Sequence, residues 1–234
     1  MQAAKWRHEF KYVSPEQILL ILEKRAESVL LRDKHTGNQG FYSIRSIYFD
    51  DFYNTCYQEN ESGTDPREKF RIRIYNGSRE KISLELKQRQ KSLCYKISVP
   101  LSLETCEEIM SGKIPRLQND SPYLLKKLVM QMQSRALKPV CIVAYERVPL
   151  IWNEGNVRVT FDRNIRSSAN IQDFFETNLA CRPILETKMN MLEVKFDEFL
   201  PDFINEILQT GELSQTSFSK YYLCRKFNMK AEAL

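Results

Sequence analysis

The chain has 234 residues, 42% of them hydrophobic, with a formal net charge of +5. That length and apolar fraction suffice for an ordinary core, so residues 1–234 read as a single domain, and the small net charge does not call for a general nucleic-acid coat, so the charges matter by position more than by sum. Six scattered cysteines without a C-x-x-C pair, with only His8 and His35 to complete a zinc site, exclude a disulfide framework and read as reduced thiols of a cytoplasmic protein.

Met1 to Lys11 lacks an apolar core of signal-peptide length, and the longest aliphatic run, Ile18 to Leu22, is too short to span a bilayer. A first strand over Lys5 to Tyr12 ends at Ser14-Pro15, where a Ser N-cap and a Pro at the first helical position open an amphipathic helix to about Ser28. After the Gly37 and Gly40 loop comes a strand from Phe41 to Phe49, to which Arg45 could add a cation. Asp51 to Asn60 reads as a short helix. Three strands follow, near Arg67 to Asn76, Lys81 to Arg89 and Leu93 to Leu101, spaced as an antiparallel meander. Ser102 opens a helix to Ser111, and Ser121-Pro122 opens another to Ala136. Strands near Pro139 to Leu150 and Asn156 to Arg166 flank the hairpin signal Asn153-Glu154-Gly155. A strand at Leu192 to Phe196 precedes a helix from Asp202 to Gln209, stopped by Gly211, and Phe218 to Phe227 reads as a final helix. Strands and helices do not alternate regularly, so the class is α+β.

Several strands alternate ionic and apolar residues with period two: Arg7-His8-Glu9-Phe10-Lys11, Arg71-Ile72-Arg73-Ile74-Tyr75, Glu85-Leu86-Lys87, Arg158-Val159-Thr160 and Glu193-Val194-Lys195. Side chains two apart share a face, so each strand presents charge on one side and hydrophobes on the other. Neighbouring cations on such a face lie about 6.7 Å apart and repel by roughly 2.5 kcal/mol at an effective dielectric near 20. The apolar faces, with Ile72, Leu84, Val159 and Val194, need cover, which helices supply from outside. The charged faces then converge inward as an antiparallel β-barrel tunnel with a polar, cationic lumen and helices packed on the outside. Glu9, Glu85, Glu193 and Asp162 temper the repulsion. The three glutamates also offer hard oxygen ligands for Mg²⁺ or Mn²⁺, although Glu9 and Glu85 could equally be salt-bridge partners within the bore. Cations that grip phosphates, with carboxylates that hold a divalent ion, are the parts phosphoryl transfer requires.

The ordered set Arg7-x-Glu9-Phe10-Lys11-Tyr12, Ser46-Ile47-Tyr48-Phe49-Asp50, Lys69-Phe70-Arg71-Ile72-Arg73-x-Tyr75, Glu85-x-Lys87, Tyr145-x-Arg147, Arg158-Val159-Thr160-Phe161-Asp162, Leu192-Glu193-Val194-Lys195-Phe196 and Ser219-Lys220-Tyr221 resembles the catalytic domain of the VTC polyphosphate polymerases, within the triphosphate tunnel metalloenzyme superfamily. The resemblance implies ATP and inorganic polyphosphate as ligands, Mn²⁺ or Mg²⁺ as cofactor, and transfer of the ATP γ-phosphoryl group to a growing chain. It implies phosphate contacts from Lys11, Arg71, Arg73, Lys87, Arg147, Arg158 and Lys220, joined by Lys195 and Lys96, and a metal on Glu193. Related triphosphatases begin E-x-E-x-K. Here Arg7 replaces the first acid, which favours the polymerase branch. Eukaryotic relatives also carry membrane helices, so coupling synthesis to export would need a separate membrane partner.

Leu185-Glu186-Thr187-Lys188 mimics the Leu192-Glu193-Val194-Lys195 motif, but only the second copy is followed by the family-like Phe196-Asp197-Glu198-Phe199-Leu200-Pro201. Arg45, Arg89 and Arg166 read as candidate entrance residues, and neither histidine reads as a general base. The alternatives to a polymerase are a triphosphate or polyphosphate hydrolase using the same site, and a non-catalytic polyphosphate-binding barrel. Nucleic acid ranks lowest, because the strand tyrosines are not set out as exposed stacking platforms.

Overall fold

The computed structural model describes residues 6–208 and 213–232. The expected start at Lys5 and the helix stop at Gln209 and Gly211 lie outside the described residues. Its strands are β1 (His8–Pro15), β2 (Leu31–Arg32), β3 (Tyr42–Asp50), β4 (Arg67–Tyr75), β5 (Ile82–Gln90), β6 (Leu93–Leu101), β7 (Lys138–Trp152), β8 (Val157–Ser168), β9 (Arg182–Pro183) and β10 (Met189–Phe196). The helices are α1 (Glu16–Glu27), α2 (Thr55–Ser62), α3 (Leu103–Met110), α4 (Tyr123–Arg135), α5 (Asp202–Leu208) and α6 (Lys220–Glu232).

The main sheet runs β1-β10-β8-β7-β3-β4-β5-β6, and every pair is antiparallel. Its two ends curl towards each other and meet where Arg7 and Cys94 exchange two backbone hydrogen bonds of 2.9 Å. The barrel anticipated from the strand pattern is therefore a curled sheet with a seam bridged, among the described residues, at that one point. No helix among them is long and apolar enough to cross a membrane.

The period-two pattern sorts the core. Outward residues of β1, β8 and β10 (Val159, Phe161, Leu192, Val194) pack under α1 and α5 through Leu19, Leu22 and Ile204. Outward residues of β3, β4 and β5 (Ile47, Ile72, Leu84) pack under α3 and α4 through Ile109, Leu124 and Leu128. Helix α6 departs from the expected external coat. Its Tyr221 and Cys224 pack with Tyr48, Cys141, Val143 and Met191, which have the bore-facing parity, so α6 fills part of the concave side.

Two local features set the inner face. Strand β7 slips register between Ala144 and Glu146, opposite Asn164 at φ +51° on β8. A bulge of this kind flips the side-chain parity, so Arg158, Thr160 and Asp162 face the bore before it and Ile165 and Ser167 after it. The β7–β8 turn depends on Gly155 at φ +72°, where an added Cβ would lie 2.7 Å from the Phe199 carbonyl oxygen.

Ser102 caps α3 by accepting from the Thr105 N–H at 3.1 Å, as read from the sequence. The other two Ser-Pro starts differ. Pro15 and Pro122 themselves occupy the cap positions without a capping side chain, and Ser14 stays in β1 with its Oγ buried and unpartnered. Proline fixes φ for helix entry without the serine's help.

Candidate active site in the bore

Strand β4 builds the spine of the site. Arg67, Lys69, Arg71 and Arg73 share its inner face, and their register partners on β5 are Arg89, Lys87, Glu85 and Ser83. Lys96 of β6 lies opposite Lys87. The facing wall comes from Lys11 on β1, Glu193 and Lys195 on β10, Arg158 on β8 and Arg147 on β7, all lining a cavity of about 390 Å³ with the residues of β4 and β5. Thirteen Lys and Arg side chains line it against Glu9 and Glu193, and Glu85 and Asp162 lie buried behind. With Asp33 on Arg158 and Asp197 on Arg7, thirteen cations less six carboxylates leaves a surplus of seven, more than the +5 of the whole chain, so the rest of the molecule is net acidic.

Three carboxylate centres keep this cluster folded. Glu85 accepts from Arg71 Nε at 2.6 Å through one oxygen and from Lys96 Nζ at 2.8 Å through the other. Glu9 takes Lys87 at 2.7 Å, Lys11 at 3.1 Å and Lys195 at 3.3 Å, and Cys94 Sγ donates to it at 3.4 Å. Asp162 holds Arg147 through two bonds of 2.6 and 2.7 Å, while Lys220 reaches it from α6 at 2.6 Å. Arg147 also bonds Glu193 at 3.1 Å, and Lys195 bonds Glu193 at 3.0 Å, which links the centres.

Burial alone would raise the pKa of each carboxylate, but the surrounding cations outweigh it. Lys11, Lys87 and Lys195 hold Glu9 well below the ordinary carboxylate range; Arg71, Arg73 and Lys96 do the same for Glu85. Arg147 and Lys220 lower Asp162, and Lys195, Lys220 and Arg147 lower Glu193. Folded-state values below unfolded ones stabilise the fold above about pH 4, and this stability is lost as pH falls through the folded values. Urea midpoints measured from pH 7 to pH 3 should therefore hold nearly level to about pH 5 and then fall steeply; a flat profile would contradict the network.

All twelve site residues read from the sequence, Lys11, Arg71, Arg73, Lys87, Lys96, Arg147, Arg158, Lys195, Lys220, Glu9, Glu85 and Glu193, come together in or directly behind this one cavity. Arg89 lines it too. Arg45 does not: it lies on the opposite face of β3 and donates to the Phe174 and Glu176 carbonyls, with Arg166 nearby. The motif mimic Glu186 to Lys188 is an exposed turn. His8 stacks on Phe196 at 4.9 Å, and His35 Nδ1 lies 2.6 Å from Asp33. Asp33 comes from a loop that carries no sequence signal, yet it pairs with Arg158 at 2.5 Å. Lys69, which shares parity with Arg71 and Arg73 and opens their motif, also lines the cavity although no phosphate contact is read for it from the sequence. Tyr48 and Tyr145 point their hydroxyls at Arg71 and Arg73, at 3.0 and 3.2 Å.

The carboxylates differ in what they could hold. Both Glu85 oxygens are taken by Arg71 and Lys96, which suits a structural ion pair. Glu9 and Glu193 lie against each other in the cavity wall, with lysine partners on flexible stems. Mg²⁺ and similar ions use one or two carboxylates and take their remaining oxygens from water and phosphate, so this pair fits such an ion. Among the described residues no group of three or more His, Cys, Asp or Glu forms a self-sufficient metal cage.

The curled antiparallel sheet with a cationic bore defines a tunnel-fold protein. The chain belongs to the VTC domain family, whose model matches residues 6–228. No curated protein matches the sequence. Among solved structures, a protein from Bacillus halodurans described as an adenylate cyclase is 14% identical, with a TM-score of 0.54, covering 92% of this chain and 95% of that one. HpAC1 from Hippeastrum, described as an adenylyl cyclase with a dominant triphosphatase activity, is 13% identical, with a TM-score of 0.57 and coverage of 95% and 96%. At these identities the likeness is one of fold.

Proposed function

We propose that residues 1–234 act as one metal-dependent polyphosphate polymerase, which transfers the γ-phosphoryl group of ATP to the end of a polyphosphate chain. The observation that carries this reading is the surplus of seven cations in a bore whose acids, among the described residues, are already paired. Such a bore is poor as a resting structure and good as a container for a polyanion.

Chemistry then needs position and charge more than a nucleophilic side chain. A terminal oxygen of the polyphosphate chain attacks the γ-phosphorus in line, a new P–O–P linkage forms, the β–γ bridge breaks, and ADP leaves with the electron pair. Arg71 and Arg73, fixed by Glu85, Ser46 and the tyrosine hydroxyls, would hold the transferring group. Arg147 and Lys220 are anchored on Asp162, so their remaining N–H bonds can face phosphate without reorganisation. Lys11, Lys87, Lys96, Arg158 and Lys195 would grip flanking phosphates. A Mn²⁺ or Mg²⁺ ion on Glu9 and Glu193 would supply further charge neutralisation at the triphosphate. Arg7, at the place of the first acid of related triphosphatases, pairs with Asp197 at 3.0 Å and offers no metal ligand.

Hydrolysis is the second reading, favoured by the triphosphatase activity of HpAC1. Incubation with ATP and Mn²⁺, with products resolved by size, separates the two. Long phosphate chains with ADP are expected; orthophosphate alone would assign the hydrolase, and unchanged ATP would leave a binding protein. Independently of turnover, tripolyphosphate at a hundred times its Kd should stabilise the fold by about 2.7 kcal/mol, read as a higher Tm.

A further inference from the structure

Lys69 stands apart from the other lysines of the bore. On β4 it has Lys87 directly across on β5, and Lys96 follows on β6, so three ammonium groups form one cross-strand row. Like charges directly opposite destabilise a sheet unless something neutralises them. Lys87 is neutralised by Glu9 at 2.7 Å and Lys96 by Glu85 at 2.8 Å. For Lys69 no carboxylate among the described residues lies within ion-pair distance, and its Nζ rests 5.0 Å from the centre of the Tyr221 ring at the start of α6.

We infer that Lys69 is a further phosphate-binding residue of the bore and that its counterion is the bound polyanion itself. This rests on the reading of the bore as a polyphosphate site, and it assigns Lys69 a role that its paired neighbours do not have. Its surroundings are mainly cationic: Lys87, Arg67 and Lys11 face it from β5, β4 and β1, and from α2 come the Cys56 thiol and Glu59, whose carboxylate stays beyond ion-pair distance. The Cys56 thiol is pushed up to about 12 by burial and by Asp50, so it stays neutral. Burial first, then Lys87 and Arg67, push the Lys69 ammonium down to about 7. An arriving phosphate reverses the balance, returns the ammonium towards its ordinary range, and draws one proton from solvent.

The sign follows from linkage. Between the free-state value and the ordinary lysine range, the complex binds one proton more than the free protein, so affinity falls as pH rises. The test is calorimetric titration of the full chain with tripolyphosphate at pH 8, in buffers of different ionisation enthalpy, for wild type, Lys69→Arg and Lys69→Met. Wild type should take up close to one proton more than Lys69→Arg, whose guanidinium is already charged. Lys69→Met should bind about tenfold or more weaker, as expected for a lost charge-assisted phosphate contact, yet melt at a higher temperature because the unpaired ammonium is gone. Equal proton uptake in wild type and Lys69→Arg, or undiminished binding by Lys69→Met, would overturn the inference while leaving the polyphosphate reading intact. Failure of the wild type itself to bind tripolyphosphate would overturn both.

Discussion

Arg73→Ala is expected to abolish turnover and leave the fold standing. Arg73 is 6% exposed, and its nitrogens meet neutral groups: Ser46 Oγ at 3.1 Å and Tyr145 Oη at 3.2 Å. The nearest carboxylate, Glu85, lies 3.9 Å away and keeps both Arg71 and Lys96 when Arg73 is removed. No buried charge is orphaned, and the repulsion that Arg73 exerts on Arg71 disappears, so the stability cost should be small. The catalytic cost should be large. A cation whose one carboxylate, Glu85 at 3.9 Å, is shared with Arg71 and Lys96, and which is held rigidly in a desolvated wall, serves the charge of the transferring phosphoryl group, and losing such a group costs about 10³-fold or more in rate. Polyphosphate formation and thermal melting measured on the same preparation test both halves. Activity within tenfold of wild type, or a collapsed melt, would each contradict the assignment, and Arg73→Lys should recover only part of the loss because it lacks the planar fork.

The bore is legible in the sequence because of period two. Arg71, Arg73, Glu85, Lys87, Glu193 and Lys195 alternate with Ile72, Ile74, Leu86 and Val194, and parity alone places the first set on one face. Parity fails where the backbone does something local. The β7–β8 bulge lets Asp162 and Ile165 face the same side although they are three residues apart, and no composition cue marks it. Arg45 has the wrong parity to join Tyr42 and Ser46, which its own alternation already implied. Asp33 and its hold on Arg158 are tertiary accidents of a loop. The placement of α6 was open because an amphipathic helix signals only that one side is buried, not whether the surface it covers is the outside of a sheet or the inside.

Asp162 should behave in the opposite way to Arg73. It is fully buried and is the only acid bonded to both Arg147 and Lys220 among the described residues. Asp162→Ala leaves Arg147 with Glu193 alone at 3.1 Å and strips Lys220 of its carboxylate, so a buried cation loses its counterion at the point where α6 enters the bore. Breaking a buried pair from one side costs roughly 3–5 kcal/mol, so urea unfolding should shift by that amount and turnover should fall as a consequence of misplaced cations. The double substitution Asp162→Leu with Arg147→Met removes both charges and should cost clearly less than the sum of its parts. Strict additivity would mean that the two side chains do not act as a unit. Excess phosphate or tripolyphosphate should partly rescue Asp162→Ala, because an anion in the bore can stand in for the missing carboxylate, and it should rescue Arg73→Ala not at all. The same cavity thus holds two kinds of cation: those the protein neutralises itself, which keep α6 seated, and those left for the ligand.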